Sequence, residues 1–321
     1  MLKSNTKSTE NGRIMNNLNS RNNNMGFTVF LIAMVSIGWG VAFISLAILL
    51  EVMAPMQVLA ARWTLTAVLF LIPVLMGKIK IDLRKKNVVF LFLAGLFEPC
   101  AYSILEAYGI KMTSASISAI FVATIPSMTL VLGIIFFKHR ANLKLVVSLI
   151  LTFLGVVIAT FFSPIFSASG TRAGMLCMTF GVIAASMYSL SSKKASSDFD
   201  AASVTAIMAF EGAILFNIIS LCQGHGLDTF IIPFTSGKLL INLLFLGVFC
   251  AFASYFCFNR LLAYVDAALA NNIVGSLSTI IGVVCGIIIM GDIWGWYTVI
   301  GLGITLIGVW LSTMRMKDDL D

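Results

Sequence analysis

Three acids and one base stand inside the long apolar stretches of this 321-residue chain: Glu98, Glu106 and Glu211, with Arg62 as their basic companion. An ionisable side chain at bilayer depth costs at least a few kcal/mol, about 2.5 or more, so it normally faces a cavity or a partner. Glu98, Tyr102 and Glu106 are spaced i, i+4 and i+8, which aligns them on one side of a single continuous helix. Arg62 lies at a depth comparable to Glu106 in the preceding stretch, so the expectation is an Arg62–Glu106 ion pair, or a hydrogen-bond network they share, bordering a central cavity. A purely structural tie between two helices fits the same spacing. Glu98, near mid-span, has the chemistry to hold a cationic part of a substrate or to carry a proton. Glu211 has it too, although a neutral acid bonded to a neighbouring helix is the better reading there. Trp39, Tyr102, Tyr188 and Tyr255 supply aromatic walls, which suit an organic cargo better than a bare ion. Taken singly, each of them reads better as ordinary packing. The candidate substrate-binding set is therefore Trp39, Arg62, Glu98, Tyr102, Glu106, Tyr188, Glu211 and Tyr255, with no catalytic residue, metal ligand or cofactor expected.

The elements that must position these groups are read from composition. The chain is 59% hydrophobic and 11% charged, with a mean hydropathy of +1.00, whereas a soluble domain carries about a quarter charged residues. Ten apolar stretches fall at 26–49, 55–76, 87–110, 113–137, 143–162, 172–193, 201–222, 239–259, 267–290 and 294–314. At about 1.5 Å rise per residue each is about long enough to cross a bilayer as a helix. Lipid leaves no other partner for backbone polar groups, so helices are the only sensible form. The fold expected is an all-α membrane protein of ten transmembrane helices. Residues 1–25, polar and rich in asparagine, read as a disordered cytoplasmic tail, and 315–321 as a second tail.

Charge placement sets the orientation. With the N-terminus in the cytoplasm, only Lys111, Arg172 and Lys238 of the 21 basic residues fall outside, and Arg62 falls within a span. That asymmetry predicts a multi-pass protein of the cell membrane with both termini cytoplasmic. The net charge of +7 is spread over short loops, which argues against nucleic acid as a partner.

The chain also repeats itself. At a constant offset of 153, Gly133-Ile134-Ile135 falls on Gly286-Ile287-Ile288, and Gly155-Val156 on Gly308-Val309. Leu91-Phe92-Leu93 likewise falls on Leu244-Phe245-Leu246, and Tyr102 on Tyr255. Two five-helix halves follow, at 26–162 and 172–314. Five is odd, so the second half is inverted relative to the first, a recurrent construction among transporters. Pro126 interrupts the fourth helix and predicts a kink there, while Gly282 and Gly286 in the ninth permit close helix contact. Ser114, Ser116, Ser118, Asn271 and Asn272 stand near the starts of these two helices as candidate hydrogen-bonding groups.

Taken in order, several motifs resemble the EamA family of the drug/metabolite transporter superfamily. They are Gly38-Trp39-Gly40, Pro55 to Arg62-Trp63, and Glu98-Pro99 with Tyr102 and Glu106. Thr113-Ser114-Ala115 through Pro126 completes the series. The resemblance covers roughly 26–314. It implies two EamA-like five-helix repeats and a carrier of amino acids, their derivatives, nucleotide-like metabolites or drugs, often working in export. The family's glutamates after the fourth and ninth helices are matched here by Lys138-His139, a departure, and by Asp292, a conservative swap.

The leading functional expectation is a secondary transporter of small organic metabolites such as amino acids or related compounds, working by alternating access. A nucleotide-like metabolite exchanger of the same fold is the alternative, with a passive channel or a membrane enzyme further off. Two histidines, His139 and His225, lie in loops, no span holds an aspartate, and no nucleotide-binding motif is present. Transport must then run on gradients or exchange. The expected partners are a small-molecule substrate and the lipid bilayer. Protons are a candidate coupling ion and a homodimer a candidate assembly.

Overall fold

A computed structural model describes the backbone of residues 3–137, 143–167 and 171–318. Among the described residues the chain is helical, with no strand. The first helix, α1, is Lys3–Leu50, followed by α2 (Pro55–Leu75), α3 (Val88–Gly95), α4 (Tyr102–Met112), α5 (Ala115–Val122), α6 (Ile125–Phe137) and α7 (Leu143–Phe161). Then come α8 (Thr171–Ala195), α9 (Ala201–Cys222), the short α10 (Asp228–Ile231), α11 (Gly237–Leu244), α12 (Tyr255–Tyr264), α13 (Ala267–Met290) and α14 (Trp296–Asp318). The segment read as a disordered tail is drawn into α1 from Lys3 onward, and its side chains lie outside the described residues.

Among the described residues eight helical stretches are long and apolar enough to cross a membrane: Gly26–Leu50, Pro55–Leu75, Val88–Met112, Ala115–Phe136, Thr171–Ala195, Ala201–Cys222, Gly237–Tyr264 and Ala267–Met290. The two other expected spans correspond to shorter apolar helices within the described residues, Val146–Phe161 and Trp296–Leu311. Large apolar side chains such as Leu75, Ile150, Ile288 and Trp310 point outward, as a lipid-facing surface requires. Hydroxyl groups survive in the interior by turning back onto their own helix, as Thr66 does to Arg62 O, Thr129 to Ile125 O and Thr205 to Ala201 O. This local bond removes a donor that lipid could not satisfy.

Three of the spans are interrupted, and proline accounts for two of the interruptions. Between α3 and α4 a wide turn, Leu96–Ala101, holds Glu98 at φ −140°, ψ 115°, outside helical space, with a cis peptide to Pro99. Pro99 has no N–H to continue the ladder. This corrects the expectation that Glu98 continues the helix face of Tyr102 and Glu106: the break falls between Glu98 and the other two. Between α5 and α6 the helix breaks at Ala123-Thr124, just ahead of Pro126, where the kink is expected. A second wide turn, Phe245–Ser254, joins α11 to α12 with no proline. The two wide turns end at Ala101 and Ser254, residues 153 apart, and each is followed by a tyrosine.

Helix ends are closed by side chains. Ser114 accepts from Ile117 N, Asp200 from Ser203 N and Asp266 from Ala268 N, each satisfying an orphan donor of a first turn. At the other end of α13, Gly291 takes φ 69°, a left-handed closure that suits glycine.

Close packing joins α2 to α9 and α7 to α14. In both seams a residue touches its own partner at the offset of 153. Asn217 Nδ2 donates to Thr64 Oγ1 at 2.6 Å, and Thr305 Oγ1 donates to Thr152 O at 3.4 Å. Gly155 rests on the backbone of Gly301 and Thr305, while Gly308 rests on that of Ser148 and Thr152. These two contacts interchange when 153 is added to one side and subtracted from the other. Gly155→Leu or Gly308→Leu should each lower the Tm of the detergent-solubilised protein by several degrees, because overpacking such a contact costs about 1–3 kcal/mol. Gly133→Leu is the control, since nothing lies within 4 Å of a side chain there. Equal effects at all three positions would mean that the α7–α14 seam is not tight.

Candidate functional site

The wide turn after α3 carries Glu98 into the interior of the bundle, where it meets residues from both halves of the chain. Trp39 of α1, Arg62 of α2, Tyr102 and Glu106 of α4, Tyr188 of α8 and Tyr255 of α12 line one cavity with it. In this conformation the cavity is small, about 40 Å³. Ala42, Phe43, Val122, Ile125 and Ala185 make the rest of the wall apolar, relieved by Ser189, Cys250 and Asn271. Glu211 is the one candidate residue that does not line it. Its carboxyl rests in the notch left by Gly95, between α9 and α3.

The charged groups are deeply placed: Arg62 is 2% exposed, Glu98 1% and Glu106 7%. Tyr255 donates its hydroxyl to Glu98 Oε1 at 2.6 Å, and Ser103 Oγ donates to the same oxygen at 3.0 Å. Tyr102 donates to Glu106 Oε1 at 2.8 Å. Arg62 Nη2 meets Cys250 Sγ at 3.4 Å, and the guanidinium lies 5.3 Å from the Trp63 ring centre. The expected Arg62–Glu106 ion pair is therefore corrected. Among the described residues Arg62 forms no ion pair, and Glu106 accepts instead from Tyr102, one turn away on α4. Both residues nevertheless face the same cavity. Four buried polar atoms on the cavity walls have no hydrogen-bond partner: Arg62 Nε and Nη1, Glu98 Oε2 and Trp39 Nε1.

The aromatic residues form a connected wall. Trp39 packs on Tyr255 and Phe258 with ring centres 5.3 and 4.7 Å apart, and Trp63 on Tyr255 at 5.7 Å. Gly38 and Gly40 allow α1 to press against Ser254 and Ile281, which holds the Trp39 ring against that wall. Tyr188 is fixed differently, donating to Asn259 Oδ1 at 2.8 Å. Asn259 also accepts from Ser192 and donates to Thr205, so α8, α9 and α12 meet at one amide. Sequence reasoning passed over Asn259, Ser103 and Cys250. An asparagine within a span was the available signal, but the eighth stretch was ended at residue 259, whereas α12 runs on to Tyr264.

Of the other polar groups singled out, Asn271 donates to Thr129 and Asn272 to Val309 O. Asp292 Oδ2 accepts from Ser116 N at 2.8 Å and so ties the end of α13 to the start of α5. Lys138-His139 lies outside the described residues. Tyr102→Phe strips Glu106 of its hydroxyl donor and should destabilise the protein by about 1–3 kcal/mol. In the Tyr102→Phe/Glu106→Gln double variant the loss should be smaller than the sum of the single losses. Strict additivity in thermal unfolding would show the two groups to be energetically independent.

The model of the EamA-like transporter family matches 26–161 and again 172–314. The uncharacterized transporter YcxC of Bacillus subtilis (strain 168) is 26% identical over 282 residues, covering 87% of this chain and 90% of that protein. An uncharacterized transporter of Archaeoglobus fulgidus is 22% identical over 279 residues, covering 86% and 95% respectively. A solved crystal structure superposes with a TM-score of 0.64 at 14% identity, over 91% of this chain and 98% of that one, a likeness of fold alone. With both halves matched, this multi-pass membrane protein belongs to the EamA-like transporter family.

Proposed function

We propose that the chain is a secondary transporter of small organic metabolites such as amino acids or related compounds, working by alternating access at the cavity. The observation that carries this reading is the position of the cavity. Its walls come from α1, α2, α4, α5 and α6 of the first part of the chain and from α8, α12 and α13 of the second. A site at the seam of two halves is where exchange of their conformations would expose a bound solute to each side in turn.

The architecture proposed with it is ten crossings in two inverted halves, 26–162 and 172–314, in the cell membrane with both termini cytoplasmic. The contacts between residues 153 apart, the wide turns at matching positions and the two family matches support the division. The basic loops support the orientation. The mixture of aromatic and charged walls favours an organic solute over a bare ion.

Counterflow in proteoliposomes tests the carrier mechanism. Preloading with a transported solute should accelerate entry of the labelled solute, and an entry rate indifferent to preloading would point to an open channel. Uptake driven by a pH step tests the proton. Glu98→Gln should flatten the pH dependence, and an unchanged dependence would remove Glu98 as the proton carrier.

A further inference from the structure

The four unpartnered atoms on the cavity walls have a pattern of their own. Arg62 supplies two donors, Trp39 one donor and Glu98 one acceptor. Arginine stays protonated in proteins, and a buried charge without a partner is costly. Arg62 Nη2 is held only by the Cys250 sulfur, a weak acceptor that a stronger one would displace. The guanidinium fork is thus open to an oxyanion, with the Trp39 indole N–H as a further donor on the same cavity. A phosphate would bring about two negative charges into a cavity that also holds Glu98 and Glu106. A carboxylate brings one and suits the planar fork.

Glu98 presents the opposite requirement. Tyr255 and Ser103 both donate to Oε1, which leaves Oε2 as a buried acceptor with nothing to accept from. The Tyr255 ring packs at a tilt against Trp39 beside it, and aromatic faces favour a cation. The remaining walls are chiefly apolar, with Phe43, Val122 and Ile125, and their polar members Ser189 and Asn271 already donate to Ala185 O and Thr129.

We propose that the cargo is a zwitterion with an apolar side chain, its carboxylate on Arg62 and its ammonium on Glu98 Oε2 beside Trp39 and Tyr255. The proposal rests on the carrier reading above and narrows it to apolar amino acids, setting aside lone cations, lone organic anions and nucleotide-like solutes. Removing either charge from the cargo leaves one wall group buried and unsatisfied. Each loss should weaken binding by at least about a hundredfold.

Thermal shift on the purified full-length protein tests it with matched probes. Valine, leucine, isoleucine, methionine, phenylalanine and tryptophan are each compared with the amine lacking the carboxylate and the acid lacking the amine. At least one of the six should raise the Tm, with its amine and its acid at least about a hundredfold weaker, and lysine and glutamate without effect. In Arg62→Gln the zwitterion should lose its advantage over the amine, and in Glu98→Gln its advantage over the acid. Should either variant not fold, the wild-type series alone decides. An amine or acid that binds as tightly as its parent zwitterion overturns the proposal, and so does failure of all six amino acids. If such a singly charged solute also shows counterflow, the zwitterion proposal falls while the carrier stands. If no solute shows counterflow, the carrier reading itself falls.

Discussion

The hydroxyl of Tyr255 reaches Glu98 at 2.6 Å and in doing so joins the two halves of the chain at a point where both are irregular. Glu98 leaves helical space because Pro99 cannot continue the ladder, and Tyr255 follows the matching wide turn of the other half. A backbone departure at membrane depth is tolerated only where it is buried in protein or lines a cavity. The cavity and the break therefore require each other. The break turns the carboxyl inward, and the cavity walls receive it with hydrogen-bond donors instead of lipid.

The two halves share a backbone pattern but not a chemistry. At the offset of 153, Arg62 corresponds to Leu215, Glu98 to Ala251 and Glu106 to Asn259. The embedded charges of the cavity all come from the first half, while the second half contributes the neutral counterparts. The correspondence is closest at Glu106 and Asn259, which each accept a tyrosine hydroxyl at 2.8 Å. One is a carboxylate facing the cavity; the other is an amide whose remaining positions are taken by Ser192 and Thr205. On the proposed two-half architecture, the ionisable groups of the cavity are concentrated in one half.

Much of this was legible in the sequence for a simple reason. Apolar length and the rarity of embedded charge are both direct consequences of lipid as solvent, so helical stretches and seven of the cavity residues could be named from type and spacing alone. Spacing failed where it assumed a continuous helix. The i, i+4, i+8 reading of Glu98, Tyr102 and Glu106 ignored the proline between the first and second of them. Depth failed for Arg62 and Glu106, because comparable depth says nothing about which neighbour a carboxylate prefers, and Tyr102 lies one turn away on the same helix. Glu211 shows a third limit. It shares a span type and an approximate depth with the cavity acids, yet Gly95 offers it a notch on another side of the bundle. The face of a helix on which a single acid falls is decided by packing.

The contacts of Thr64 with Asn217 and of Thr152 with Thr305 carry a mechanical consequence. In the proposed architecture, a residue that touches its own repeat mate would sit on the axis relating the halves. Interchange of their shapes carries each such pair into itself. In the proposed cycle these bonds are fulcrums: the bundle rocks around them while the walls of the cavity open and close. Stiffness there and compliance elsewhere would then come from a single geometric fact.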